Sequence, residues 1–302
     1  LSGGGKGKKH YHKRAAFLVR DFRSISSGNM SLRISFSVLA ITLLLVGTSA
    51  HDLVEELNSI SFGYTGVHGP QKWGSLSPLF SACSNGKRQS PVNIVKNKVV
   101  RNKNLKPLTR DYSTANATLV NNGFNIGLLF EENVGVLVTD GKNFSLKQMH
   151  WHSPSEHRIN GEQFPTELHM VHKAADGSFA VVSILYQYGD ADPILSKIKD
   201  ELNELVKEVC AKNEESHIPV KALDTKHMEK KTRKYYRYIG SLTTPPCTEN
   251  VTWSILGKVR SISKEQVELL QAPLDSTCKK NARPLQELNG RQIELFAELG
   301  NS

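Results

Sequence analysis

His150 and His152 stand two residues apart in Gln148-Met149-His150-Trp151-His152, and that spacing constrains the chain more than any other feature. On a β-strand, side chains at i and i+2 share a face, so both imidazoles point the same way. A third histidine, His169 in Glu167-Leu168-His169, follows a connection dense in turn residues (Ser153-Pro154-Ser155, Asn160-Gly161, Phe164-Pro165). Such a connection suits a neighbouring strand folded back alongside. Three neutral imidazoles converging on one point make a zinc site with its fourth position open, the arrangement of catalytic rather than structural zinc. Any one of these histidines alone reads as an ordinary core or surface residue. The three together, with polar partners at matching parity, read as ligands.

The partners are Gln148 and Glu167. A ligand histidine needs its second ring nitrogen held. Gln148 lies two residues before His150 and Glu167 two before His169, each on the same strand face as its histidine. A carboxylate on an inward face is expensive to bury without such a role.

Strand-like runs rich in Val, Ile, Thr and aromatics dominate the rest: 117–120, 135–139, 146–152, 167–173, 179–187 and 251–259, with turn residues between them. Helices are few. Asp192-Pro193 opens an amphipathic stretch to about Cys210, with Ile194, Leu195, Ile198, Leu202 and Leu205 at helical spacing, and Ser263-Lys264-Glu265-Gln266 has the form of a capping box ahead of Pro273. This is a mixed α+β, mainly β pattern, one domain around a large sheet with short peripheral helices.

Gln148-Met149-His150-Trp151-His152-Ser153-Pro154-Ser155-Glu156-His157, Glu167-Leu168-His169-Met170-Val171-His172 and Ser241-Leu242-Thr243-Thr244-Pro245-Pro246 resemble the signature segments of the α-class carbonic anhydrases, in a plant-like version. Matches continue through Gly63-Tyr64, Trp73-Gly74, Arg88-Gln89-Ser90-Pro91-Val92-Asn93-Ile94, Asn281-Ala282-Arg283-Pro284 and Gly290-Arg291-Gln292, so the likeness covers about residues 60 to 298. It implies a ten-stranded, mostly antiparallel sheet with zinc in a conical cleft. It also implies a zinc-bound hydroxide that hydrates CO₂ reversibly to bicarbonate and a proton. Thr243 would accept a hydrogen bond from that hydroxide and pass its own proton to Glu156. A hydroxyl has one donor and two acceptor positions, so an ionised Glu156 leaves Thr243 only acceptor capacity for the nucleophile. The resemblance further assigns Val171, Val181, Leu242, Thr244 and Trp253 to the substrate pocket, although core packing explains Val181 and Trp253 nearly as well.

One expected group is missing. Efficient members of that family carry a proton-shuttling histidine just after an Asn-x-Gly turn, whereas Asn121-Asn122-Gly123-Phe124-Asn125-Ile126 places Phe124 near that position. Phenylalanine cannot relay a proton. Slow or buffer-dependent turnover is therefore expected. His68 is a weak substitute and reads more simply as loop decoration.

All four cysteines, Cys83, Cys210, Cys247 and Cys278, lie in the later part of the chain, and an even number in a secreted protein suggests disulfides. Plant-like relatives join the pair corresponding to Cys83 and Cys247, which would tether the Thr243 loop to the N-terminal segment. Cys210 and Cys278 either pair with each other or do not.

Met30-Ser31-Leu32-Arg33, an apolar run from Ile34 to Val46 and Gly47-Thr48-Ser49-Ala50 have the form of a secretory signal over residues 30–50. A run this short does not comfortably cross a hydrocarbon layer of ~30 Å, so no stable membrane anchor is expected. Residues 1–29 read as an upstream extension outside the native fold, and 51–302 as the catalytic domain. The secretory route leads to the extracellular space or apoplast, or onward to vacuole or plastid. Residues 1–50 carry eight Lys and Arg against one acid, Asp21, which accounts for most of the formal charge of +10. The remaining basic run, Lys226 to Lys234, reads as a solvated loop, so no nucleic-acid partner is expected. Asn116, Asn143 and Asn250 head glycosylation sequons. Asn116 and Asn143 are the better candidates, because Asn250 falls close to Trp253 in an expected core strand. Oligomeric state is not readable.

Two functions remain. The first is a zinc lyase acting on CO₂ and bicarbonate. The alternative, from the plant side of the resemblance, is a storage, defence or binding protein on the same scaffold with weak or dispensable catalysis.

Overall fold

Short apolar runs divided by turn residues become sixteen strands in the computed structural model, which describes residues 61–210, 217–225, 228–229 and 232–298. They begin with β1 (Asn93–Ile94), β2 (Val100–Arg101), β3 (Thr109–Tyr112), β4 (Ala115–Asn121), β5 (Ile126–Leu129) and β6 (Gly135–Thr139). The middle of the chain supplies β7 (Lys142–His152), β8 (Arg158–Ile159), β9 (Glu162–Gln163), β10 (Thr166–Lys173) and β11 (Phe179–Tyr188). The last five are β12 (His217–Leu223), β13 (Lys234–Ser241), β14 (Glu249–Leu256), β15 (Arg260–Ile262) and β16 (Glu294–Ala297). The extension 1–29, the signal-like segment 30–50, His51, His227, and Lys226, Lys230 and Lys231 of the basic run lie outside the described residues, as does the side chain of Cys210.

Ten strands form one continuous path, in the order β12-β4-β5-β7-β10-β11-β14-β13-β16-β2, and β3, β6 and β15 attach to it, making a thirteen-stranded sheet. The expected ten is therefore the length of the main path and not the whole count. The sheet is mixed, because β14 and β15 run parallel to β11 and β2 runs parallel to β16, while the other pairings are antiparallel. A smaller sheet joins β1, β8 and β9.

The central strands explain why the site sits where it does. β10 is buried at every position from Thr166 to His172, and β11 from Ala180 to Tyr186, so both faces of the sheet are covered there. In register, His150 faces His169, His152 faces Glu167, and Gln148 faces Val171. Residues opposite one another across a ladder share a face. Gln148, Val171, Val181, Trp253 and Tyr238 form one row across β7, β10, β11, β14 and β13. His150, His169 and Ser183 form the row beside it.

Helices are short and peripheral, as composition suggests. Near the N-terminus lie α1 (Trp73–Leu76) and α2 (Ala82–Asn85). The stretch expected as one helix from Asp192 is two, α3 (Pro193–Lys197) and α4 (Lys199–Cys210), because Ile198 leaves helical geometry at φ −105°, ψ 19°. The Asp192 side chain caps α3 by accepting from the N–H groups of Ile194 and Leu195. The apolar stripe is nonetheless buried throughout, from Ile194 to Leu205. In α5 (Lys264–Gln271) the expected capping box forms between Ser263 and Gln266, and the Gln266 amide also donates to Asp192 O. The run expected as a strand to residue 259 stops at Leu256, where Gly257 N turns back to Lys234 O, and β15 starts afresh at Arg260.

His172 on β10 shows how burial fixes a protonation state. The Tyr112 hydroxyl donates to its Nε2 (2.6 Å) and Nδ1 donates to Ala180 O (3.2 Å). Burial lowers its pKa from 6.5 to about 3. The unfolded chain then binds one proton more than the folded chain between those values, so this contribution is complete above pH 6.5 and is lost as pH falls. The slope for one such group is about 1.4 kcal/mol per pH unit. Urea unfolding of the parent and of His172→Gln at pH 5.5 and 4.5, well inside that window, should differ in slope by about that amount. Equal slopes would remove His172 from the account.

Candidate metal centre

Strand parity gathers His150 and His152 from β7 and His169 from β10, all three buried. One nitrogen from each lies within 4.8 Å of the others, a grouping that could hold a metal ion. The ring centroids stand 4.7 to 5.1 Å apart. His152 and His169 are shut from solvent, while His150 keeps 9 % of its surface and marks the open side.

The remaining nitrogen of each ring is held. His150 Nδ1 donates to Gln148 Oε1 at 2.7 Å and His169 Nε2 to Glu167 Oε1 at 2.8 Å, the two partners expected from parity. His152 Nδ1 donates to Asn281 O at 2.7 Å. That third partner escaped the sequence reading, since a backbone carbonyl 129 residues away carries no side-chain signature. These bonds fix the tautomers and leave His150 Nε2, His152 Nε2 and His169 Nδ1 with lone pairs facing inward. His152 Nε2 is buried without a hydrogen-bond partner. An orphaned imidazole nitrogen among two others of the same kind is what a bound metal would satisfy. Burial pushes the pKa of all three rings down, with His152 at about 4, and neutral rings are the form that ligates.

Glu167 binds more than His169. Its Oε1 also accepts from His157 Nδ1 (2.7 Å) and Ser183 Oγ (2.6 Å), and its Oε2 from the N–H groups of Glu156 and His157 (2.8 Å each). Burial alone would raise this carboxyl, but His157 and His169 hold it well below the usual range. His157, which sequence reading left without a role, is thereby an anchor. Its Nε2 accepts from the Tyr238 hydroxyl (2.7 Å), which pairs with Ser90 Oγ (2.7 Å).

Glu156 follows β7 by four residues and is buried. Its Oε1 accepts the Arg283 N–H at 2.9 Å, and Oε2 lies 3.5 Å from His152 Nε2 without a hydrogen bond. Burial raises its pKa to about 7, against the lowering effect of His169 and of hydrogen bonds from Thr243 and Arg283. Thr243 sits buried in the loop between β13 and β14, and Leu242 and Thr244 line up beside it. The loop is closed by Leu242 N to Thr248 O (2.9 Å) and Cys247 N to Thr244 O (2.8 Å). The Cys83–Cys247 disulfide, implied by the family likeness, ties it to α2 across 164 residues. Cys278 is buried nearby in sequence to Asn281.

Val171, Val181 and Trp253 occupy the row beside the histidine row, and the Trp253 ring lies 4.8 Å from that of His169. Trp253 Nε1 donates to Ser241 O, which fixes the ring under the Thr243 loop. Phe124 is half-buried against Phe62, with ring centroids 4.7 Å apart, and its carbonyl accepts from Asn281 Nδ2. Asn116 and Asn143 are exposed. So is Asn250, contrary to the core position expected of it: as the second residue of β14 it has a positive φ of 66°, and its Oδ1 accepts from Arg88 Nη1.

Fold and site together define a protein built on a wide mixed sheet whose centre gathers three histidines that could hold a metal ion, each with its outer ring nitrogen hydrogen-bonded. A profile described as eukaryotic-type carbonic anhydrase matches residues 68–296, and the chain belongs to that family, the α-class carbonic anhydrases, which are zinc enzymes of CO₂ hydration. Alpha carbonic anhydrase 7 of Arabidopsis thaliana is 41 % identical over 261 residues, covering 86 % of this chain and 93 % of that protein. Dioscorin dioA3 of Dioscorea japonica is 38 % identical over 77 % of this chain and 84 % of its own. Among solved structures, dioscorin complexed with ascorbate aligns with a TM-score of 0.75 at 36 % identity, over 80 % of this chain and all of that one. The α-carbonic anhydrase of Thermovibrio ammonificans in complex with sulfanilamide aligns with a TM-score of 0.66 at 34 % identity, over 78 % of this chain and 99 % of its own.

Proposed function

We propose that this chain catalyses the reversible hydration of CO₂ to bicarbonate and a proton, with zinc held by His150 Nε2, His152 Nε2 and His169 Nδ1. The observation that carries the reading is the pattern of held and converging nitrogens: every outer nitrogen is bonded, one nitrogen from each ring lies within 4.8 Å of the others, and His152 Nε2 is buried without a partner. Zinc in such a set supplies a water-derived nucleophile at neutral pH, with a pKa of about 7, a magnitude established on carbonic anhydrase itself. The chain does the orienting. Glu156 in its ionised form, which prevails above its pKa of about 7, accepts the hydrogen bond of the Thr243 hydroxyl, so that Thr243 Oγ1 offers only lone pairs towards the nucleophile. Val171, Val181, Leu242 and Trp253 give the pocket an apolar wall with no competing hydrogen bond for CO₂, and Thr244 lies at its rim.

The product proton has no histidine relay in the Asn121–Ile126 turn, so its departure relies on external buffer. In stopped-flow CO₂ hydration by the zinc-loaded protein, turnover should rise with imidazole-type buffer and level off. Phe124→His should raise turnover at low buffer and leave the plateau unchanged. No hydration by protein carrying stoichiometric zinc would sink the enzyme reading.

A second reading is favoured by one observation, the pairing of that missing relay with two likenesses to dioscorins, one of them solved with ascorbate. It is a binding, storage or defence protein on this scaffold with weak catalysis. Ascorbate titration of the zinc-loaded chain distinguishes them: tight binding with negligible hydration supports the second reading. The secretory route and glycosylation at Asn116 and Asn143 belong to either proposal.

A further inference from the structure

We infer that the cleft between β1 and the β8–β9 turn, with the basic edge that follows it, binds an acidic polysaccharide through its uronate carboxylates. No Asp or Glu occurs from Phe62 to Arg110, while Lys96, Lys98, Arg101, Lys103 and Lys106 are all exposed. The cleft holds about 480 Å³ and is lined by Asn93, Val95, Lys96, Asn97, Asn160 and Gly161. That is within the usual range of small-ligand sites, roughly 300–1,000 Å³.

Its chemistry is one-sided. Asn93 Oδ1 accepts the Gly161 N–H (2.9 Å) and Asn160 Oδ1 accepts the Lys96 N–H (2.8 Å), so both carboxamide oxygens are held by the backbone. Each side chain keeps both amide N–H donors to offer, beside the Lys96 ammonium. Amide donors grouped beside an ammonium favour a ligand rich in acceptors, as a carboxylate is. No aromatic ring lines the cleft, so it lacks the stacking platform that single-stranded nucleic acids use. Lysines beside an edge strand such as β2 also discourage strand pairing between molecules. That role does not account for the paired carboxamides, nor for Lys96 and Lys98, which precede β2. Two acids lie near the face: Glu294 on β16 is engaged by Asn102 Nδ2 (2.7 Å), and Glu162, exposed on β9 beside Gly161, is outnumbered by the exposed cations. A linear polyuronate offers carboxylates at regular intervals, one for the cleft and others for Lys98, Arg101 and Lys103.

The test uses the full zinc-loaded chain and de-esterified polygalacturonate, with a single-stranded oligonucleotide of matched charge as comparison. Polygalacturonate should bind, with affinity falling as salt rises. The variant K96Q/K98Q/R101Q/K103Q should bind at least tenfold more weakly, and K147Q, on β7 six strands from β2, should bind like the parent. N160G keeps the charge and suits the left-handed backbone at φ 51°, yet should lose several-fold affinity with its amide. The proposal is overturned by absent binding at low salt, by unchanged affinity in the quadruple variant or in N160G, or by equal or tighter binding of the oligonucleotide.

Discussion

Replacing Glu167 with alanine should cost the folded protein about 3–5 kcal/mol, because it breaks a buried charged network by removing one partner. Five donors would lose their acceptor at once: His169 Nε2, His157 Nδ1, Ser183 Oγ and two backbone N–H groups. None has solvent to turn to, since Glu167, His157, His169 and Ser183 are all buried. For a domain of this size that is a fall in melting temperature of roughly 10–15 °C. Zinc affinity should drop by about 10- to 100-fold, since His169 would no longer be held in one tautomer and orientation. Calorimetry and competitive zinc titration read the two effects separately. A variant with parental zinc affinity would show that the carboxylate supports the fold alone.

Thr243→Val should lower CO₂ hydration by roughly 10²–10³-fold, the usual effect of deleting one hydrogen-bonding group that orients a reacting atom. Valine keeps the branched shape and removes the hydroxyl, so the loop closed by Thr244 and Cys247 should persist. Zinc content should stay stoichiometric, because Thr243 is not among the clustered ligands. Thr243→Ser restores the hydroxyl and should recover most of the rate. If the valine variant hydrates CO₂ like its parent, Glu156 and Thr243 do not orient the nucleophile.

The metal centre was unusually legible because it depends on strand parity. Gln148, His150 and His152 share a face by period two, and Glu167, His169 and Val171 do so on a later strand, so the three candidate ligands and two of their holders follow from spacing alone. The third holder is the carbonyl of Asn281, and any residue would have supplied that atom. His157 was unreadable for a different reason: its partners Glu167 and Tyr238 come from strands separated in sequence, and only the sheet order makes them neighbours. Helix propensity placed the apolar stripe of Ile194–Leu205 correctly but not the break at Ile198, where the stripe stays buried while the helix axis changes.

By itself, then, the sequence determined which side chains could chelate, which faces they occupy, and that the chain is mainly strand, since these rest on short-range periodicity. Tertiary structure decided what long-range pairing alone can decide. It set β14 parallel to β11, which carries Trp253 beside Val181, and closed the Thr243 loop through Cys83 and Cys247. It also brought Asn281 under His152, and it drew Asn160 and Lys96 together in a donor-lined cleft. The division has a physical cause: side-chain direction is fixed by local backbone geometry, whereas register between distant strands is fixed only by the burial of a whole shared face.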